Sequence, residues 1–387
     1  MPVDEKPNIP IALPCVGEEE WQATRECFRS GWLTQGPRVR EFEEAFAKQQ
    51  GAAYAVATSS CTTALHLALF ALDVGPGDEV IVPAFTWVAT ANVVLYCGAT
   101  PVLADVSRET FNLDPELLPA LRTPRTVAVI PVHLFGRCAD LPAIRAALPG
   151  VAVVEDAACA AGAHDGAAPA GSTGDAGAFS FHPRKTITTG EGGMLTTQRR
   201  ELAERAAKLR NHGAEVSEEE RHRGPRPYLL PEFNLLGFNY RMTDLQGAVG
   251  LVQLRKLAGF LRERQYWAEY YQRELADLAW LRTPEIPARG QHAWQAYVCW
   301  VDEKVSPLPR NTIMERLAER GIQTRPGTHA LHTLGVYRER FGYCPEDFPA
   351  ARDCERYTLA LPLHNRMGEA DYARVVRELH ALVRNAG

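Results

Sequence analysis

The chain has 387 residues, 46% of them apolar and 23% charged, the balance of an ordinary soluble globular protein with a large core to bury. That length exceeds the size at which one core stops growing, so the sequence predicts a large domain over 1–245 and a smaller one over 246–387. A net charge of −5 argues against a general nucleic-acid binder, and no apolar run is long enough to span a bilayer.

The start, MPVDEKPNIP, is acidic and proline-broken, without the basic and apolar regions of a signal peptide. The nine cysteines, an odd count with no C-x-x-C pair, suit reduced thiols and no zinc or other metal site, so a cytoplasmic protein is expected. From about residue 52, β-branched runs alternate with helical patterns: EVIVPAF (79–85), PVLADV (101–106), TVAVIPVHLF (126–135), VAVVEDA (151–157), AGAFSFH (176–182) and GMLTT (193–197). Apolar on both faces and separated by crossover-length segments, these runs predict an α/β fold with a largely parallel sheet covered by helices. Ligands on such sheets sit beyond the carboxyl ends of the strands. The Ala/Gly-rich stretch 160–177 reads as a tight small-residue loop, and the charged stretch 215–228 as a long surface loop. A long helix from about Thr243 to Glu274 follows, then a strand at 295–301, a helix at 311–321 and a terminal helix at 369–383, the makings of a small α+β domain.

Four features along the chain are each ambiguous alone. In ATSSCTTALHLALFAL (57–72), small hydroxyl residues open a helix whose free N–H groups near Thr62 and Thr63 could hold a phosphate, or Ser59 or Ser60 could simply cap it. In VAVVEDAACA (151–160), a buried strand ends in an acidic pair, and Asp156 could pair with a protonated pyridine nitrogen or merely form a turn. In GAFSFHPRKTITTGEGGMLTT (177–197), Lys185 is the one lysine between two strands, a candidate imine former or a solvated loop residue. Trp87, just past the strand 79–85, could stack on an aromatic ligand or belong to the core. Together they offer a phosphate cradle, a carboxylate, an amine and a stacking ring, and pyridoxal 5′-phosphate (PLP) needs all four.

The sequence resembles the DegT/StrS family of sugar aminotransferases. The matching stretches include SGWLTQGPRVREFEEAFA (30–47), TSSCTTALHLAL (58–69), GDEVIVPAFTWVATAN (77–92), FSFHPRKTITTGEGGML (179–195) and GFNYRMTDLQGAVGLVQL (237–254). The resemblance implies a PLP-dependent aminotransferase type I fold, with a seven-stranded, mostly parallel sheet in the large domain and a smaller C-terminal α+β domain. It implies Lys185 as the catalytic Schiff-base lysine, Asp156 on the pyridine nitrogen and Trp87 on the ring. Thr62, Thr63 and Ser180 would hold the phosphate, and Cys159 stands where relatives contact the ring hydroxyl with Gln or His. Asn239 or Arg241 would reach the same phosphate from a second subunit, making the site a property of a homodimer. The implied reaction carries an amino group from glutamate to a keto-sugar, with Arg221, His222, Arg223 and Arg226 as candidate cations for a nucleotide pyrophosphate and His329 near the sugar. Two alternatives stay open: sugar deoxygenation on the same fold, for which relatives replace the lysine by histidine, and a regulatory protein that keeps the fold without turnover.

Overall fold

The computed structural model describes residues 8–225 and 228–384. Eight strands form in the first two hundred residues: β1 (Tyr54–Thr58), β2 (Glu79–Pro83), β3 (Phe85–Thr86), β4 (Thr100–Ala104), β5 (Thr126–Val129), β6 (Ala152–Asp156), β7 (Ala176–Ser180) and β8 (Gly193–Thr197). All but β3 join one seven-stranded sheet in the order β1-β8-β7-β6-β5-β2-β4. The pairs from β4 through β7 are parallel, while β8 runs antiparallel to both β7 and β1. Every residue of β2 and β8 is buried, as expected for strands covered by helices on both faces.

Two strand expectations needed adjustment. Of the run 126–135 only Thr126–Val129 is regular strand; beyond it the chain keeps a single bridge, Val132 opposite Asp156, then bends, with His133 N donating to the Asp156 carbonyl at 3.0 Å and Phe135 adopting φ of 58°. β1 lies outside the predicted runs, because YAVAT starts exposed and its alanines dilute the continuous β-branched signal that marks the other strands. The stretch 215–228 is not wholly a loop, since Glu218–Arg223 forms a short helix.

Thr243 caps the long helix Asp244–Glu274 in a reciprocal box with Gln246. The first half of this helix lies against the helices Glu18–Ser30 and Pro37–Gln49, and glycines set how closely. A Cβ at Gly247 would meet the Arg38 carbonyl carbon at 2.8 Å, and one at Gly250 the Phe42 ring at 2.6 Å. The far half enters a second core through Ala268, Tyr271 and Leu275, which pack with Trp280, Tyr297 and Leu379. The helix thus continues unbroken across position 245 and serves both cores.

The second core backs a three-stranded antiparallel sheet of β9 (Leu281–Arg282), β10 (Tyr297–Val301) and β12 (Thr358–Leu361), order β12-β10-β9, flanked by helices Arg310–Glu319 and Glu369–Arg384. β11 (His329–Ala330) leaves this layer to pair with β3, His329 opposite Thr86. That two-residue ladder joins the C-terminal part of the chain to the carboxyl edge of the large sheet. Among the described residues, no helix is long and apolar enough to cross a membrane.

Candidate active site

β2 has β4 on one side and β5 on the other, so the chain leaves the sheet in opposite directions on either side of this point. A crevice opens there, beyond the carboxyl ends of the strands, as the topology requires. The cavity holds about 650 Å³, and its walls come from the ends of β3, β6 and β7, the start of helix Cys61–Ala71 and the segment 325–329.

The acidic pair at the end of β6 is split by the two-residue alternation of a strand. Glu155 points away from the cavity into a closed network: it accepts from His133 Nε2 at 2.7 Å, Gly171 N at 2.6 Å, and Thr173 N at 2.9 Å. Burial would raise its carboxyl, yet the His133 contact and the glycine amides hold it below the usual glutamate value. The Ala/Gly-rich segment is small for a steric reason, since a Cβ at Gly177 would sit 2.5 Å from the Gly171 Cα. Asp156 faces the cavity instead, accepting from Thr90 Oγ1 at 2.9 Å and Ala158 N at 3.1 Å. Burial raises its carboxyl above the ordinary aspartate value, with the Thr90 bond working against the shift. A carboxylate so placed favours a cationic partner.

Lys185 follows β7 in a loop closed by Lys185 N to His182 O at 2.8 Å and Thr189 N to Phe181 O at 3.0 Å. Gly190, at φ of 85°, lets that loop return to β8. The Lys185 Nζ donates to Cys159 Sγ at 3.2 Å, so amine and thiol share the cavity wall with Asp156.

The helix Cys61–Ala71 points its start at the same space. Ser60 caps it, its hydroxyl accepting from Thr63 N at 3.2 Å, and the Thr63 hydroxyl accepts from Ser60 N at 3.0 Å. Thr63 is thereby drawn into the cap, and it is Ser60, Cys61 and Thr62 that line the cavity. The Ser60 cap therefore does not close this helix end, which still presents its start to the cavity. Gly193, first in β8, permits it: a Cβ there would lie 2.3 Å from the Ser60 carbonyl carbon. Ser180, last in β7, completes this side of the wall, its Oγ accepting from His182 N at 3.4 Å.

Trp87 is 59% exposed and faces the cavity, its ring centroid 5.6 Å from that of His329. His329 also approaches Glu355 at 3.9 Å. Lys185, Asp156, Cys159, Trp87, Thr62, Ser180 and His329 therefore line one cavity. Asn239 and Arg241 do not: Asn239 is exposed and bridges backbone to backbone with Asn211, and Arg241 Nη1 donates to Asn211 Oδ1 at 2.9 Å. Arg223 ends the short helix at 218–223, and Arg226 lies outside the described residues.

Sequence reasoning missed Thr90, although it sits three residues past Trp87, as the second residue of helix Ala89–Tyr96. It also missed Arg184, Arg310, Arg325 and Glu355, three of which arrive from far along the chain with no local motif around them. No cluster of three or more His, Cys, Asp and Glu side chains among the described residues could hold a metal ion.

A family model described as the DegT/DnrJ/EryC1/StrS aminotransferase family matches residues 14–380. The chain is 41% identical over 381 residues to the spore coat polysaccharide biosynthesis protein SpsC of Bacillus subtilis, covering 98% of each chain. It is 40% identical to the GDP-perosamine synthase of Caulobacter vibrioides, across 97% of this chain and 99% of that one. Among solved structures, a Streptococcus pneumoniae protein assigned as a sugar aminotransferase, in its PLP form, superposes with a TM-score of 0.91 at 28% identity, over 98% of this chain and 100% of that one. The fold is that of the PLP-dependent aminotransferases, as the sequence led us to expect.

Proposed function

We propose, for a chain that belongs to the DegT/DnrJ/EryC1/StrS aminotransferase family, that the cavity holds PLP on Lys185 and passes an amino group from glutamate to a nucleotide-linked keto-sugar. The chain is a sugar aminotransferase of amino-sugar biosynthesis; the donor, the carrier and the residue roles are our own assignment. The observation that carries it is the meeting of Lys185 Nζ, the buried Asp156 carboxyl, the Trp87 ring and a helix start in one cavity.

The side chains fit the cofactor by their chemistry. When bound, PLP supplies an aldehyde that captures nitrogen and a ring that draws electrons from the neighbouring carbon. Asp156, costly to ionise alone in its buried site, gains a partner in a protonated pyridine nitrogen and keeps that nitrogen charged. Thr62 N and the Ser180 hydroxyl offer donors to the phosphate at the positive end of the helix. Lys185 would hold the cofactor through Nζ and, as a free amine, would move the proton at the substrate carbon; its contact with Cys159 keeps the amine at the cavity wall.

In our reading the protein is a homodimer, in which Asn239 and Arg241 serve the phosphate of a second copy. Both lie near a run of exposed apolar side chains: Leu229, Leu230, Phe233 and Leu236. A second copy would cover that run and bring Asn239 to the other cavity. Arg223 and Arg226 remain our candidates for the nucleotide pyrophosphate, and a cytoplasmic location our expectation. The lysine at 185 favours amino transfer over deoxygenation and over a role without turnover.

The test is Lys185→Ala. Its turnover should fall by roughly a thousandfold or more, as removal of a general acid–base group requires, and the visible absorbance of lysine-linked PLP should vanish. A variant that keeps both activity and absorbance would refute the assignment.

A further inference from the structure

The cavity wall supplied by the C-terminal part of the chain carries a guanidinium without a protein counter-ion. Arg325 is half-buried and lines the cavity; Ala360 N donates to its carbonyl at 2.8 Å, which ties it to β12. The Arg325 Nε is enclosed and has no acceptor, and among the described residues no carboxylate lies within ion-pair distance of the side chain. Burial, and then the nearby charge of Arg184, both press against its protonation. Arg310, on the same wall, is better provided for: although burial presses against its charge and its Nε also lacks an acceptor, its Nη1 donates to Thr358 O at 2.9 Å, and the negative charges of Glu303 and Glu355 favour its protonation. Two like-charged guanidinium groups at one cavity, one of them half-buried and unpaired, make a poor arrangement for an empty site. They make a good one for an anion, because a planar guanidinium matches a carboxylate with paired donors.

We propose that Arg325, with the neighbouring Arg184, binds the carboxylate of the amino-acid donor. The proposal rests on the aminotransferase reading above and adds where the donor is held. Position decides between a carboxylate and the phosphates of a nucleotide. Arg184 directly precedes Lys185, and Arg325 lines the same cavity wall as Cys159, the acceptor of the Lys185 amine. In an amino acid the carboxylate is bonded to the reacting carbon, so it must sit beside that amine. In a nucleotide-linked sugar the phosphates are separated from the reacting carbonyl by part of the sugar ring, which puts them farther out.

The experiment is a single-turnover titration of the PLP-loaded enzyme with L-glutamate, followed by the loss of lysine-linked absorbance. Arg325→Gln should raise the half-saturating glutamate concentration on the order of 100-fold, as loss of a buried charge pair does. Arg325→Lys should recover part of the loss, and both variants should load PLP with unchanged absorbance. Inorganic pyrophosphate serves as the competing probe, and its inhibition of the glutamate reaction should persist in Arg325→Gln. Unchanged glutamate saturation in Arg325→Gln would overturn the proposal, and so would loss of pyrophosphate inhibition with glutamate saturation intact, which would give the site to phosphates. A wild type that takes up PLP and ignores glutamate would instead sink the donor reading itself, and this proposal with it.

Discussion

Adjacent carboxylates at the end of β6 meet opposite fates because neighbouring residues of a strand face opposite sides. Glu155 is fully enclosed by donors and belongs to the framework, while Asp156 is turned to the cavity with its charge opposed by burial. The pair was visible in the sequence, and so was the candidate role of the second member; the framework role of Glu155 was not, because its partners Gly171 and Thr173 come from a separate loop. The same holds for Lys185, legible as the one lysine between two strands, and for Arg325, illegible because only tertiary folding brings it to the cavity. Asp156→Asn tests the assignment at this scale. The folded carboxyl titrates above its ordinary 3.8, so ionisation costs the cofactor-free protein stability as pH rises past 3.8, and the cost is complete above the raised folded value. Cofactor-free Asp156→Asn should therefore gain stability over wild type across that rise, while its PLP affinity falls on the order of 100-fold for want of the charge pair. Thermal melts against pH and a PLP titration check the two halves; equal PLP affinity would remove Asp156 from the cofactor.

At the scale of elements, the sheet was readable wherever strands are buried on both faces. β2 and β4 to β8 appear close to their predicted runs, since continuous apolar residues between turn signals have few other ways to fold. The terminal helix, the long helix and β10 likewise matched their periodicities. β3 and β11, two residues each, are too short for a pattern, and their ladder depends on residues 243 positions apart in pairing His329 with Thr86, while β1 is alanine-rich and starts exposed. The tightest element-to-element contact at the cavity is β8 against the helix cap, where Gly193 leaves no room for a Cβ. Gly193→Ala should push Ser60 and the helix start out of place, lowering stability by about 2 kcal/mol, in the usual range for overpacking, and weakening PLP binding as well. Unaltered PLP affinity in a folded Gly193→Ala would mean that the helix start does not hold the phosphate.

For the whole molecule, the described chain leaves an apolar stretch uncovered, Leu230 being 86% and Leu236 85% exposed. Surfaces of this kind mark interfaces. Leu230→Asp combined with Leu236→Asp should yield monomers by sedimentation and, if Asn239 or Arg241 serves the partner's phosphate site, weaker PLP retention in step. Retention that is unchanged in a monomer would make each cavity self-sufficient. The fold also explains why both cores are needed: β11 and Arg325 come from the C-terminal part, Lys185 and Asp156 from the large sheet, and the cavity lies between them.

Reduction of the PLP-treated protein with borohydride, followed by peptide mass analysis, addresses the central claim most directly. One pyridoxyl group on Lys185, absent when PLP is withheld, is the expected result. A label on a different lysine, or no label on protein that has taken up PLP, would contradict it.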